Sequence, residues 1–574
     1  MIDLSLASLK QGYISGEFTP EDVLRQVHQR IAETVSHNIW INVLDDVSAY
    51  LANLKATKPE ELPLWGVPFA IKDNIDLEGC PTTAACPDYA YMPDESATVV
   101  GRLIAAGAIP VGKTNLDQFA TGLVGTRSPH GAVQNAINPD YISGGSSSGS
   151  AVAVKLGMCS FSLGTDTAGS GRIPAGFNEL VGLKPSLGWL STKGVIPACK
   201  TLDCVSIFAG SVSETRLVAS CCAGPDDDPW SRDIEFSGFD IKAARIGKLD
   251  DAHLTACDDE SRQAYKRYIA SLASTTNHET TQFDFAPFAK TAQLLYEGPW
   301  LAERYAAIEA FISECADSLH PVTFDIISQG IKPTAVDAFN GEYALKELRQ
   351  IAEGILEEFD VMVVPTAPKP FTIDEVLQNP IETNSLLGTY CNLVNLLDLC
   401  AIAIPAGTLS TGMPFGVTLI ARAGRDHALL DLASSLCAEE GLPTAPRPGE
   451  FHLAVCGAHL SGQPLNPALL ELGGYLVEAT QTSDNYRLFA LPDGKRPALV
   501  RDPSSQTAIE IEVWSVPDRN VAAFLRTVAP PLGIGQVELA DGRWVGSFIA
   551  ESVATDQAKE ITRFGGWRAY KASQ

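Results

Sequence analysis

The chain has 574 residues, 45% of them hydrophobic and 19% charged, with a formal net charge of −27. That length allows several domains with ample surface to bury, and the acidic balance argues against a binder of nucleic acid or anionic membrane, since both need clustered Lys and Arg. The first residues hold no basic segment followed by an apolar one, no run of about 18 apolar residues occurs, and the 13 cysteines form no C-x-x-C pair; the expectation is a cytoplasmic protein with buried free thiols rather than a disulfide or zinc framework.

Residues 1–35 predict helices, with Thr19 as N-cap, Pro20 at the first helical position and Glu21 and Asp22 in the first turn. Leu64 to Asn74 reads as a short apolar strand ending at Lys72, a residue type seldom buried without a partner. Residues 97–106 predict an amphipathic helix. Gly107 to Thr114 then matches the phosphate-loop pattern G-x-x-x-x-G-K-[ST] letter by letter. Its context is wrong for that role, because a helix precedes it and Ile109, Pro110 and Val111 would block the backbone from a phosphate. A nucleotide-binding module without catalysis is nevertheless the rival from another functional class.

Ser143 to Ala175 holds two Gly/Ser clusters, 144–150 and 164–171, separated by core-type residues such as Val152, Met158 and Phe161. Further on, residues 182–197 are turn-rich, 205–218 predict a helix and 246–250 a strand, and two or three helices follow to about residue 357. Within them, Leu295 to Tyr305 reads as a helix end, a turn and a new helix with Pro299 near its first position. Residues 360–366, 400–405 and 416–421 predict buried strands. Strands alternating with helices imply an α/β domain whose sheet is covered on both faces. A Pro-rich stretch at 441–450 reads as a linker, and alternating strands from Phe451 onward predict a smaller β-rich domain to residue 574.

Two serines compete as nucleophile. Ser147 is the central serine of a G-x-S-x-G match, the elbow of α/β-hydrolases, with His427, His452 and His459 downstream; the motif should follow a core strand, and here it follows a loop. Ser170 closes the loop Thr165 to Ser170, whose small residues can turn successive N–H groups toward one oxygen as an oxyanion hole. No histidine lies between His130 and His253, and Lys72 can serve as its base if burial keeps it neutral.

GGSSSGSA and GTDTAGSGRIPA, with GVPFAIKDN upstream and GKTNLDQFATG between, resemble the amidase signature family of serine amidohydrolases, at matching spacing. The resemblance implies the amidase signature fold, a mixed β-sheet with helices on both faces, over residues 1–440. It implies Ser170 as nucleophile, Lys72 as general base and Ser146 as a bridging serine on a cis peptide. The N–H groups of Thr167, Ala168, Gly169 and Ser170 would form the oxyanion hole. Arg172 would contact substrate or orient the loop. The segment 295–305 resembles that of allophanate hydrolases, in which a tyrosine and an arginine, here Tyr296 and Arg304, hold the substrate; Gly122 would line the same pocket. An arginine suits a planar carboxylate better than a lysine does. Residues 451–574 resemble the C-terminal domain of those enzymes, distantly similar to the γ-glutamylcyclotransferase fold and associated with decarboxylating the first product; His459 is its candidate group. The resemblance implies no metal or cofactor, a functional link to a biotin-dependent urea carboxylase, and room for a homodimer. Within the family, the alternative is a broader aliphatic amidase or the amidase component of a glutaminyl-tRNA amidotransferase.

Overall fold

Eleven strands form one mixed sheet: β1 (Trp40–Val43), β2 (Pro68–Lys72), β3 (Ile109–Thr114), β4 (Phe161–Asp166), β5 (Val181–Lys184), β6 (Cys204–Ala209), β7 (Ile246–Lys248), β8 (Thr280–Gln282), β9 (Val361–Pro365), β10 (Leu399–Thr408) and β11 (Pro414–Arg422), in spatial order β1-β3-β2-β4-β6-β5-β10-β11-β9-β7-β8. The computed structural model describes residues 2–224, 226–241, 243–275, 278–439, 450–556 and 558–574. β2 runs parallel to both β3 and β4, whereas β4, β6, β5, β10, β11 and β9 pair antiparallel in turn. Every residue of β2, β3, β4 and β6 is buried, as expected of strands covered on both faces. The helix Ser148–Lys155 packs Ala151, Val152 and Ala153 with Ala70 of β2 and Phe208 of β6 in one such layer.

Local sequence explains the helix starts. Thr19 accepts from the Asp22 N–H while the Asp22 carboxylate accepts from Thr19, a reciprocal cap that fixes Pro20–Glu33. The helix Thr98–Ala105 buries Val99, Val100 and Leu103. The phosphate-loop match is dissolved into β3: Lys113 is fully buried, 3.3 Å from Asp73 and bonded to Thr82, so it faces no phosphate.

Two expectations are corrected. Residues 205–218 do not form one helix, because Cys204–Ala209 is the buried strand β6 and the helix begins only at Val212, capped by Ser211. Among the described residues, the region to residue 357 holds five α-helices rather than two or three, at Asp259–Thr275, Ala286–Glu297, Trp300–Glu314, Pro321–Ile327 and Ala335–Leu356, together with the short strand β8.

The chain divides into two units, Met1–Ile234 with Lys242–Glu440, and Glu235–Ile241 with Gly441–Gln574. The expected linker at 441–450 lies almost wholly outside the described residues. In the second unit β12 (Glu450–Val455), β13 (Tyr475–Gln481), β16 (Glu510–Pro517), β17 (Leu532–Glu538) and β18 (Trp544–Ala550) form a sheet in the order β13-β16-β12-β18-β17, and β14 (Tyr486–Ala490), β15 (Pro497–Arg501) and β19 (Lys559–Glu560) a smaller one. Its core, including Leu453, Val455, Ile511, Val513 and Trp567, belongs to this unit alone. Among the described residues no helix is long and apolar enough to cross a membrane.

Candidate active site

Lys72 is the last residue of β2 and Asp166 the last of β4, and the two strands are parallel neighbours. Both therefore end on the same edge of the sheet, the edge where loops of α/β proteins gather their chemistry. Ser146 arrives in the loop before the helix Ser148–Lys155, and Ser170 in the turn after β4. Lys72 is fully buried; its Nζ donates to Ser146 Oγ at 2.8 Å and to Thr165 Oγ1 at 2.7 Å. Burial brings the ammonium down to a pKa of about 7, against the opposing pull of Asp117, Asp203 and Asp166. The Gly145–Ser146 peptide is cis.

Asp166 organises the Ser170 loop. Its Oδ1 accepts from the Gly169 N–H at 2.8 Å and its Oδ2 from the Gly171 N–H at 3.1 Å, and Arg172 closes on both oxygens from Nε and Nη2, each at 2.9 Å. Arg172 also donates to the Cys391 carbonyl and to Asn395 Oδ1. Its donors are thus taken up by Asp166, Cys391 and Asn395, a geometry that suits orienting the loop. The Gly169 N–H points at Asp166, which differs from its expected place in the oxyanion hole. Gly169 itself sits at φ 132°, and a Cβ there would strike Cys391 Sγ.

Ser147, the rival nucleophile, exchanges hydrogen bonds with the backbone of Thr165, accepting from its N–H at 3.3 Å and donating to its carbonyl at 3.1 Å. That hydroxyl fastens one loop to the other. His427 lies edge-on against Trp189.

Tyr296 and Arg304 are brought together by the break between the helices Ala286–Glu297 and Trp300–Glu314, the guanidinium carbon lying 5.9 Å from the ring centroid. Arg304 Nη1 donates to Thr121 Oγ1 at 3.3 Å. Gly122 follows Thr121, and a Cβ on it would meet the Asp117 carboxylate at 2.6 Å. That carboxylate accepts from the N–H groups of Val124, Gly125 and Arg127 and holds the whole turn. Sequence reasoning missed Asp203. Its Oδ1 accepts from Thr167 at 2.5 Å and its Oδ2 from the Ala198 N–H at 2.8 Å, while burial raises its pKa to about 6. In the same turn Thr201 bonds Glu303 through its N–H and hydroxyl, so Asp203 ties the Ser170 loop to the helix that carries Arg304. No local motif marks it.

In the second unit, His459 stacks on Phe548 with ring centroids 5.3 Å apart and meets Phe524 edge-on at 5.4 Å. Burial lowers its pKa to about 4, which leaves the ring neutral at ordinary pH. Glu512, on β16, accepts from Ser461, Trp514 and Arg568 and is held below the usual carboxylate range by these partners against its burial.

Fold and site together define a serine amidohydrolase. A family model described as Amidase matches residues 22–430, and one described as Allophanate hydrolase C-terminal domain matches residues 451–572. The chain belongs to the amidase family. It is 42% identical over 571 residues to the urea amidolyase of Saccharomyces cerevisiae, covering 93% of this chain but 31% of that protein; it thus spans about a third of the curated relatives named urea amidolyase. It is 33% identical to a glutamyl-tRNA(Gln) amidotransferase component of Lactobacillus johnsonii, over 73% of this chain and 92% of that one. The crystallised allophanate hydrolase of Kluyveromyces lactis superposes with a TM-score of 0.81 at 39% identity, covering 98% of this chain and 99% of that chain.

Proposed function

We propose that this chain hydrolyses the terminal amide of allophanate (urea-1-carboxylate) in the breakdown of urea. Ser170 Oγ attacks the amide carbonyl; its proton passes to Ser146, and the Ser146 proton to neutral Lys72. The same relay returns a proton to the nitrogen, which leaves as ammonia, and water then releases the acyl group as N-carboxycarbamate. The N–H groups of Thr167, Ala168 and Ser170 hold the oxyanion, with Gly169 reserved for the loop. The second unit takes the product onward by decarboxylation toward CO2 and further ammonia, with His459 as its group. The domain division is 1–440 and 451–574, with the short segment Glu235–Ile241 joining the second unit. The enzyme acts in the cytoplasm, and its substrate comes from a biotin-dependent urea carboxylase, a link supported by the relatives named urea amidolyase.

The observation that carries this reading is Arg304. An arginine 3% exposed, beside Tyr296 and bonded to the turn next to the Lys72–Ser146 pair, suits a small amide with a carboxylate at one end. Ser170→Ala is expected to abolish ammonia release from allophanate with the fold retained by circular dichroism; substantial remaining turnover would remove Ser170 from the mechanism. Assays on malonamide and glutamine beside allophanate separate this reading from the broader amidases, which would favour the uncharged amides.

A further inference from the structure

Two arginines converge on Thr121. Arg304 bonds its hydroxyl, as described; Arg127, 1% exposed, donates from Nη1 to the Thr121 carbonyl at 3.0 Å and from Nη2 to the Pro380 carbonyl at 2.7 Å. All of these acceptors are uncharged. Among the described residues, the Nε of each guanidinium is buried and has no hydrogen-bond partner. Burying a cation is costly without a paired anion, and the carboxylates whose charge reaches these arginines are hydrogen-bonded to other groups: Asp117 to three N–H groups, Asp203 to Thr167, Ala198 and Cys199, and Glu303 to Thr201. Burial and the like charge of Arg304 both press Arg127 below its ordinary pKa, against Asp117 and Tyr296. Burial works against the Arg304 cation too, but Cys199, Tyr296, Asp203 and Glu303 outweigh it and raise its pKa, so of the two guanidiniums it is Arg127 that is short of negative charge.

We propose that Arg127 is a specificity-determining residue, which with Arg304 makes a two-guanidinium anion subsite around Thr121 that selects amides bearing a carboxylate over their uncharged isosteres. The proposal rests on the reading of Arg304 as the carboxylate's partner. An arriving carboxylate relieves the repulsion between the guanidiniums, and a carboxamide of the same shape does not. Arg127 acts on binding, since it lies on the Thr121 turn and not on the Ser170 loop.

The test compares allophanate with biuret, which replaces its carboxylate by a carboxamide, and malonamate with malonamide. Loss of one charge-assisted contact predicts that Arg127→Met raises KM for allophanate about 10- to 100-fold more than KM for biuret, with kcat changed in like measure on the two substrates. Arg127→Lys keeps the charge and is expected to recover most of that loss. Equal losses on charged and uncharged members, or no change on either, would overturn the proposal. If Arg127→Met fails to fold, Arg127→Gln, which removes the charge and keeps a donor for the carbonyls, decides: a lost preference for allophanate over biuret supports the subsite, and an unchanged preference refutes it. Wild-type protein that ignores allophanate yet prefers malonamate, with the preference lost in Arg127→Met, would keep the subsite and discard allophanate as substrate.

Discussion

At Lys72 two effects oppose each other: burial drives the proton off, and three buried carboxylates, Asp117, Asp203 and Asp166, pull it back. Burial wins, leaving the pKa at about 7. Below that value the lysine is charged and cannot take a proton through Ser146, so kcat/KM for biuret is expected to fall about tenfold per pH unit on the acid side and level off above it. Asp203→Asn removes one of the charges that favour the ammonium and is expected to move this limb to lower pH. A limb that stays in place would mean that another group titrates. The motifs around Lys72, Ser146 and Ser170 were legible in the residues, because their dense small residues have few other uses, and Lys72 and Ser146 do meet in the fold. Arg127 and Asp203 were not legible. A lone arginine in Gly125-Thr126-Arg127-Ser128 or a lone aspartate in Leu202-Asp203-Cys204 has no local pattern, and each takes its meaning from partners far along the chain.

Among elements, the loop from Asp166 to Arg172 depends on an ion pair whose two side chains are both fully buried. Arg172→Met would strand the Asp166 charge in the interior, at a cost of about 3–5 kcal/mol; urea denaturation should show it, together with loss of turnover. Loss of turnover at unchanged stability would return Arg172 to the substrate. The misread stretch 205–218 belongs to the same scale. Cys204–Ala209 is apolar almost throughout, a pattern shared by buried strands and buried helices, and period alone does not separate them. The signal that does is Ser211 three residues ahead of Glu214, a helix start that confines the strand to what precedes it. In the second unit the alternation of polar and apolar residues along the sequence made β12 to β16 readable, although His452, Glu512 and Ser515 on these strands are themselves buried. The return of Glu235–Ile241 to that unit was not, although Gly473, at φ 76° with the Phe236 carbonyl where a Cβ would stand, marks the close approach.

For the whole chain the net charge of −27 meets a substrate that is itself an anion. The long-range field of the surface repels allophanate, while the buried arginines attract it only at short distance, where salt screens little. Raising ionic strength from about 10 mM to about 150 mM shortens the screening length to about 8 Å and removes the repulsion first. The expected result is a rise of about two- to threefold in kcat/KM for allophanate, carried by KM, with biuret unchanged because it has no charge to repel. A fall with salt would mean that local positive potential extends beyond the pocket and steers the substrate in. Parallel responses for both compounds would point to a salt effect on the protein itself. The opposition of an acidic surface and a cationic pocket lets the two contributions be separated, since Arg127→Met alters the pocket and leaves the surface nearly as it was: its salt dependence on allophanate should match that of the unaltered chain even as its KM rises.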